Sequence, residues 1–261
     1  MGAIILQVMI AVNKIFLMKA IILAAGQAKR LRPITKDTPK CLLKIGGVSI
    51  IDHQLNCLKR NNIKNVLVVV GFKSKKLTTH LLKKHPDIDF EFIINDNYKN
   101  TNAAYSLWLA KGHLKESVIY LNSDCFFHPK IAEIVIKSKK DSLTAIQRVP
   151  WDEEEVNVKV NKKLLVMEIG KHLMAEESFG EFIGFTKLGK KFNQQLTEAL
   201  DFFVAQKEYK KFAADAINLT IKNLQGKMYI ADVTNWPATE IDTIKDFERA
   251  REVWDKYRYE S

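Results

Sequence analysis

Short runs of apolar residues alternate with amphipathic segments over the first half of the chain. Continuous apolar runs bounded by turn residues indicate buried strands, and apolar positions repeating every three or four residues indicate helices. The predicted strands cover residues 20–23, 42–45, 65–71, 90–95, 117–121 and 142–146, and the predicted helices cover 49–60, a lysine-rich segment after 71, 101–111 and 129–137. This alternation predicts an α/β fold with a doubly wound, mostly parallel (Rossmann-like) sheet.

The pattern changes after residue 150. Residues 156–160 and 164–169 alternate apolar and polar positions, which is typical of a β-hairpin. A strand at 181–185, helices at 190–206 and 212–223, a strand at 227–231 and a last helix at 243–257 follow. Thr243 and Asp246 have the spacing of a capping box at the start of that helix, with aspartate in place of glutamate. We therefore expect a β-rich lid region inserted into the α/β domain.

Residues 18–261 contain no internal repeat, low-complexity segment or linker, so we expect a single domain there. Residues 1–17 form an N-terminal extension, which is apolar but interrupted by Gln7, Asn13 and Lys14. The extension is too short and too polar to span a bilayer, and it lacks the basic start and cleavage site of a signal peptide. We expect either a peripheral extension or a start codon assigned too far upstream, and no membrane partner.

The formal net charge of +11 raises the question of a nucleic-acid partner. However, the lysines occur in pairs scattered along the chain, as on solvated helix ends and turns, and no motif combines basic and aromatic residues as in RNA-binding proteins. Cys41, Cys57 and Cys125 have no metal-binding or redox spacing. We therefore expect free thiols, a cytoplasmic location and no nucleic-acid partner, and we leave a homodimer open.

The segment after the first predicted strand has the composition of a phosphate-binding loop. Its small residues would let backbone N–H groups approach a ligand closely, and the cations that follow match a ligand with several negative charges. The small residues are Ala24, Ala25, Gly26 and Ala28, and the cations are Lys29, Arg30, Arg32, Lys36 and Lys40. A basic surface loop after a core strand is the alternative. The order of strand, small residues and cations favours a triphosphate site.

Three carboxylates are placed where they can converge on a cation. Asp124 follows a central predicted strand, and ligands bind at the carboxyl ends of such strands. Glu240 and Asp242 lie two apart in an extended segment, so both can face one site while Ile241 faces the core. Converging carboxylates repel unless a divalent cation joins them, and Mg²⁺ prefers oxygen ligands. The simpler alternatives are that Asp124 is a loop residue and that Asp242 caps a helix.

The loop also resembles the signature Gly-x-Gly-x-Arg-Leu-x-Pro-x-Thr-x-x-x-Pro-Lys of nucleotidyltransferases that join a nucleoside triphosphate to a phosphorylated small molecule. The matching residues are Gly26, Arg30, Leu31, Pro33, Thr35, Pro39 and Lys40, whereas Ala28 replaces the second glycine. Residues 97–102, 105–107, 123–124, 179–186 and 240–243 extend the likeness to the small cytidylyltransferases that act on phosphocholine or 2-aminoethylphosphonate. The resemblance covers about residues 18–257.

This resemblance implies Mg²⁺-dependent transfer of CMP from CTP to a small phosphorylated or phosphonate acceptor, with release of pyrophosphate. It implies catalytic roles for Arg30 and Lys40 and metal ligation by Asp124, Glu240 and Asp242. The nucleotide-binding residues that it implies are Leu23, Ala24, Ala25, Gly26, Lys29, Asn102 and Ser106. A sugar-1-phosphate nucleotidyltransferase using UTP or dTTP is the alternative, and a catalytically inactive nucleotide-binding protein is a third interpretation.

The acceptor pocket is the least constrained part of the prediction. A quaternary ammonium group binds to aromatic faces, and a primary amine also needs a carboxylate or carbonyl partner. Trp151 opens the lid region and Trp236 precedes Glu240, so we expect both to contact the acceptor, with Glu181 as an anionic partner. This set favours phosphocholine or an aminoethyl phosphonate as the acceptor. No histidine constellation is evident, in agreement with an acceptor that is already anionic and needs no general base.

Overall fold

The computed structural model describes residues 18–258, so the predicted extension 1–17 lies outside the described residues. The strands are β1 (Lys19–Ala24), β2 (Lys44–Ile45), β3 (Val48–Ser49), β4 (Asn65–Val70), β5 (Asp89–Ile94), β6 (Val118–Asn122), β7 (Cys125–Phe127), β8 (Leu143–Gln147), β9 (Asn157–Val160), β10 (Val166–Gly170), β11 (Gly180–Leu188), β12 (Tyr229–Asp232) and β13 (Ala238–Glu240). The helices are α1 (Ile50–Arg60), α2 (Ser74–Lys84), α3 (Ala103–Leu109), α4 (Pro129–Lys137), α5 (Lys190–Ala205), α6 (Ala213–Asn223) and α7 (Ile244–Arg258).

Parallel strands form one half of the main sheet, as predicted. β6, β1, β4 and β5 are neighbours in this order and all run in the same direction. Successive residues of β1 face opposite sides of the sheet: Ala20 and Ile22 belong to one buried cluster, and Ile21 and Leu23 belong to another. Because helices cover both faces, the central strands β1, β4 and β6 are almost entirely apolar and buried, which explains why they were recognisable as apolar runs.

The other half of the sheet is mixed. β11 runs antiparallel to both β6 and β8, and β12 runs parallel to β8. The predicted hairpin forms as β9 and β10, and β9 pairs with β11. The β-rich region predicted as an insertion is therefore continuous with the main sheet, and it extends that sheet beyond the parallel strands.

Two small antiparallel sheets support the loops at the carboxyl ends of the parallel strands. β2 pairs with β3, and β7 pairs with β13, the strand that ends at Glu240. A third buried cluster joins Leu31 of the phosphate-binding loop to Phe126 of β7, Ile241 and Val253 of α7. This cluster fixes the loop and the segment 240–242 to one scaffold. No helix between residues 18 and 258 has the length and apolarity needed to cross a bilayer.

Candidate active site

A cleft of about 780 Å³ opens at the carboxyl ends of β1 and β6. This volume is in the range of sites that bind a small molecule together with a cofactor or second substrate. The predicted catalytic, nucleotide-binding and metal-ligating residues all line the cleft, namely Leu23, Ala24, Ala25, Gly26, Lys29, Arg30, Lys40, Asn102, Ser106, Asp124, Glu240 and Asp242. Leu23 and Asp242, 219 positions apart in sequence, are thus brought to one site. The structure agrees with the sequence-based grouping of these residues.

The phosphate-binding loop leaves β1 through a residue with positive φ. Ala28 adopts φ 47° and ψ 53°, which is left-handed backbone. For alanine this conformation costs roughly 1 kcal/mol, and hydrogen bonds compensate: Thr35 Oγ1 and the Leu31 N–H both donate to Ala28 O, at 2.8 Å and 3.1 Å. The alanine that replaces the second glycine of the signature therefore keeps the backbone conformation for which glycine is usually needed.

Lys40 joins two of the three predicted metal ligands. Its Nζ lies 2.7 Å from Asp124 Oδ2 and 2.8 Å from Asp242 Oδ1. Arg30 Nη2 lies 2.5 Å from the other carboxylate oxygen of Asp242. Burial opposes the charge of Lys40, but the adjacent carboxylates outweigh this effect and raise the pKa of Lys40. The cleft therefore presents fixed positive charge directly beside fixed negative charge.

Glu240 is a partly buried acid of the site. Its Oε1 accepts a hydrogen bond from Asn122 Nδ2 at 3.1 Å and lies 3.5 Å from Cys125 Sγ. Burial, followed by the negative charge of Asp124, raises the pKa of Glu240 to about 8. A raised pKa shows that too little positive charge lies near this carboxyl group to stabilise its ionised form. A bound cation would supply that charge.

The donor atoms fit a hard divalent cation. Potential ligand atoms of Asp124, Cys125 and Glu240 all lie within 4.8 Å of one another. Burial raises the pKa of the Cys125 thiol well above its usual value, and this thiol donates to Ile183 O at 2.8 Å. The Cys125 thiol is therefore protonated, and its hydrogen is used in the bond to Ile183 O. The carboxylate oxygens of Asp124 and Glu240, with Asp242 alongside, form an oxygen donor set of the type that Mg²⁺ prefers.

Local hydrogen bonds present Glu240 and Asp242 to the cleft, as the alternation predicted. Ile241 between them is fully buried, and its N–H donates to Asp124 O at 3.1 Å. The predicted capping box is present: the Asp246 carboxylate accepts from the Thr243 N–H at 2.7 Å, and the Asp246 N–H donates to Thr243 Oγ1 at 3.3 Å. Thr243 rather than Asp242 thus caps α7, which leaves the Asp242 carboxylate to Lys40 and Arg30.

Gly184 of β11 packs directly against the carboxylate site. It has φ 65°, and a Cβ at this position would lie 2.6 Å from Cys125 Sγ, 2.7 Å from Glu240 Oε1 and 2.8 Å from Asn122 Nδ2. Real Cβ atoms do not approach neighbours this closely. The absence of a side chain at residue 184 therefore gives Glu240 its place beside Asp124.

Polar side chains from β5 and α3 line the other end of the cleft. Asn102 is the N-cap of α3, and its side chain accepts from the Ala103 N–H at 2.9 Å. Ser106 and Thr101 each accept a hydrogen bond from Asn95 Nδ2 at 3.0 Å. Asn95 also lines the cleft, although the sequence analysis did not single it out.

The residues predicted to bind the acceptor are placed differently from the rest. Trp151, Glu181 and Trp236 do not line the cleft. The Trp151 indole donates to Leu173 O at 3.0 Å, and the Trp236 ring stacks on His128 with ring centroids 4.6 Å apart. Both rings are therefore engaged by other parts of the protein.

Glu181 lies beside a carboxylate that does line the cleft. Its side chain is buried, and burial followed by the negative charge of Glu155 raises the pKa of Glu181 to about 8. Glu155, Lys171, His172 and Phe212 line the cleft but were missed by the sequence analysis. They lie beside the hairpin and at the start of α6, and no local sequence pattern marked them.

Comparisons with known proteins find relatives along most of the chain. The chain is 29% identical to the bifunctional IPC transferase and DIPP synthase of Aquifex aeolicus over 234 residues, which are 89% of this chain but only 50% of that protein. It is 29% identical to the CTP:phosphoglutamine cytidylyltransferase of Campylobacter jejuni over 202 residues, 71% of this chain and 78% of the relative. This chain thus spans half the length of the first of these relatives.

The fold is similar to that of CTP:phosphocholine cytidylyltransferase from Streptococcus pneumoniae, with a TM-score of 0.73 and 22% identity over 91% of this chain and 99% of that chain. This likeness confirms the predicted Rossmann-like fold. The family model for nucleotidyl transferases matches residues 19–157, which include the phosphate-binding loop and Asp124 and make up more than half of the chain. The chain therefore belongs to the nucleotidyl transferase family, and cytidylyltransferases are among its relatives.

Proposed function

We propose that this enzyme transfers CMP from CTP to a small phosphorylated or phosphonate acceptor and releases pyrophosphate. The observation that carries the proposal is the contact of Lys40 with both Asp124 and Asp242 at the end of the phosphate-binding loop. This contact supports the proposal because cations that would bind phosphate oxygens lie beside carboxylates that would hold a metal. The choice of CTP is supported by the cytidylyltransferase among the relatives.

The reaction needs positioning and charge neutralisation more than proton transfer. An anionic phosphate or phosphonate oxygen of the acceptor attacks the α-phosphorus of CTP, and the bond from this phosphorus to the bridging oxygen of the β-phosphate breaks. Pyrophosphate leaves with that electron pair, and the acceptor phosphate becomes joined to CMP. Arg30 and Lys40 neutralise the charge that develops on the phosphates, and Lys29 adds a further phosphate contact. No general base is required.

Asp124, Glu240 and Asp242 would hold Mg²⁺, the cation that their oxygen atoms fit. When bound, it would neutralise phosphate charge and orient the phosphates for displacement. The backbone of Leu23, Ala24, Ala25 and Gly26 would hold the nucleotide, with Asn102 and Ser106 at the other end of the cleft.

The acceptor is proposed to carry a cationic group beside its phosphate or phosphonate. Glu181 and Glu155 form an acidic pair at the hairpin side of the cleft, and Lys171, which also lines the cleft, can bind the anionic end. Trp151 and Trp236 remain proposed acceptor contacts, which requires that their rings leave Leu173 O and His128. Phosphocholine and 2-aminoethylphosphonate have this combination of charges.

A pyrophosphate-release assay tests the proposal. CTP, UTP and dTTP are each combined with phosphocholine, phosphoethanolamine, 2-aminoethylphosphonate, inositol phosphate, glycerol phosphate and glucose 1-phosphate in the presence of Mg²⁺. We expect turnover with CTP and an amine-bearing acceptor. Asp124→Asn should abolish this turnover, whereas Asp201→Asn, which alters an exposed ion pair with Lys111, should not. Preference for UTP or dTTP with glucose 1-phosphate would contradict the proposal, as would an Asp124→Asn variant that keeps its activity.

A further inference from the structure

A chain of two hydrogen bonds leads from the interior of the main sheet to the Glu240 carboxylate. The Tyr120 hydroxyl donates to Asn122 Oδ1 at 2.5 Å, and Asn122 Nδ2 donates to Glu240 Oε1 at 3.1 Å. Tyr120 and Asn122 lie two apart on β6, so their side chains point to the same face of the sheet. Neither residue has a role in the proposed reaction.

The backbone of Asn122 is held in place by a residue of α1. Gln54 is fully buried, and its Nε2 donates to Asn122 O and to Cys125 O, each at 2.8 Å. These two carbonyl groups lie on either side of Asp124 in the chain. Because the backbone is fixed at both points, the main freedom left to Asn122 is rotation of its side-chain amide.

The orientation of the Asn122 amide follows from its two neighbours. An ionised carboxylate can only accept a hydrogen bond, so Nδ2 must face Glu240 and Oδ1 must face Tyr120. The Tyr120 hydroxyl donates to Oδ1 and thereby keeps the amide from turning over. Cys125 Sγ lies 3.5 Å from Glu240 Oε1 but gives its hydrogen to Ile183 O. In the part of the chain that the structure describes, Asn122 is therefore the hydrogen-bond donor on which the Glu240 carboxylate depends.

We propose that Tyr120 and Asn122 are positioning residues, which hold the Glu240 carboxylate in the orientation that binds the divalent cation. This inference rests on the proposed function. Hydrogen-bond partners behind a metal ligand fix its orientation, and they contribute to metal affinity in this way. An uncharged donor suits this task, because a cationic side chain at the same place would compete with the metal, as Lys40 does at Asp124. Asn122 bonds to Oε1 and leaves the second carboxylate oxygen of Glu240 to the cation.

Removal of the Tyr120 hydroxyl tests the chain of hydrogen bonds with little change in packing. In Tyr120→Phe, Asn122 Oδ1 loses its donor, so the amide is free to turn away from Glu240. The Kd for Mn²⁺, which prefers the same oxygen ligands as Mg²⁺, is measured by electron paramagnetic resonance on enzyme without nucleotide. We expect this Kd to rise by about tenfold. Thr144→Val, which removes a hydroxyl buried between β8 and β11, should leave it unchanged.

A double-mutant cycle tests whether Tyr120 acts through Asn122. Asn122→Leu keeps the approximate shape of the side chain but removes the donor to Glu240, and it should raise the Kd for Mn²⁺ by about tenfold to a hundredfold. Adding Tyr120→Phe to Asn122→Leu should have no further effect, since the hydroxyl then has no amide to orient. Turnover of Tyr120→Phe should fall at low Mg²⁺ and recover at saturating Mg²⁺, whereas a merely structural role would lower kcat at every Mg²⁺ concentration.

The inference is overturned if Tyr120→Phe and Asn122→Leu bind Mn²⁺ as tightly as the wild type, or if the effects of the two substitutions add. If Asn122→Leu does not fold, the Mn²⁺ affinity of Tyr120→Phe and the Mg²⁺ dependence of its turnover decide the question. Failure of the wild type to bind Mn²⁺ would count against the proposed function instead. In that case, a crystal structure of Tyr120→Phe still tests the chain of hydrogen bonds, since an unmoved Asn122 amide and Glu240 carboxylate would refute it.

Discussion

Replacement of Lys40 by methionine removes the charge that joins two carboxylates of the site and keeps most of the apolar stem. The Lys40 side chain is 13% exposed, and its partners Asp124 and Asp242 are 24% and 35% exposed. Loss of one partner from a fully buried ion pair costs about 3–5 kcal/mol. Because water reaches both aspartates, we expect Lys40→Met to lower the free energy of unfolding by about 2 kcal/mol, which is below that range.

This loss is measurable as a shift of the melting temperature. For a protein of this size, about 2 kcal/mol corresponds to a decrease in Tm of roughly 4–8 °C. The measurement is made by calorimetry in the presence of a chelator. Lys111→Met is the control, because Lys111 pairs with Asp201 at an exposed position, where ion pairs contribute about 0–1 kcal/mol.

Magnesium should reverse part of the destabilisation. In the wild-type protein, Mg²⁺ competes with Lys40 for the same aspartate oxygens, whereas in Lys40→Met these oxygens have lost that partner. A ligand at a hundredfold excess over its Kd stabilises the folded state by about 2.7 kcal/mol. We therefore expect MgCl₂ to raise the Tm of Lys40→Met more than that of the wild type. Catalysis should still fall on the order of a hundredfold in kcat.

Two results would refute this reasoning. Equal Mg²⁺-dependent shifts of Tm in the wild type and Lys40→Met would show that the cation does not share the carboxylates with Lys40. A variant with unchanged kcat and a raised KM would show that Lys40 binds the ground-state substrate only.

Two further predictions concern acids outside the carboxylate site. Glu181 has a pKa of about 8, above its usual 4.5, so the folded wild type retains a proton that the unfolded chain loses, and stability falls as pH rises between these values. Glu181→Gln should remove this loss in urea titrations and raise the KM of an amine-bearing acceptor; an unchanged KM would contradict its acceptor role. Although burial opposes the charge of Asp52, hydrogen bonds from His85 at 2.9 Å and Lys84 at 2.8 Å hold its pKa well below the usual value. Asp52→Asn should therefore lower the free energy of unfolding by about 3 kcal/mol near neutral pH and by progressively less below about pH 4. An equal loss at pH 7 and pH 3 would contradict this.

The parts of the site that were predictable from sequence have local signals. The strand ending at Leu23 is a continuous apolar run because both faces of the sheet are covered, and the loop after it combines small residues with cations. Glu240 and Asp242 were assigned to one side because Ile241 between them is apolar, and the structure buries Ile241 completely. Alternation within three residues was sufficient for this prediction.

Other parts depend on packing that the sequence does not show. β7 and β13 have three residues each, which is too short for a periodic pattern, yet they carry Glu240 to the cleft. Glu155 and Lys171 reach the cleft only because the hairpin joins the main sheet. Trp151 and Trp236 were predicted to contact the acceptor from their position in sequence alone, and in the structure their rings contact Leu173 O and His128.

The missing side chain at Gly184 has a consequence for how this protein tolerates mutation. Gly184 has no side chain that could contact a ligand and does not line the cleft, so its residue type alone would classify it as a harmless position. However, a single added methyl group would push on Glu240, Asn122 and the Cys125 thiol together. The residues on which the site depends thus include Gly184, which has no functional group. A larger residue at position 184 would impair the enzyme by displacing the Glu240 carboxylate.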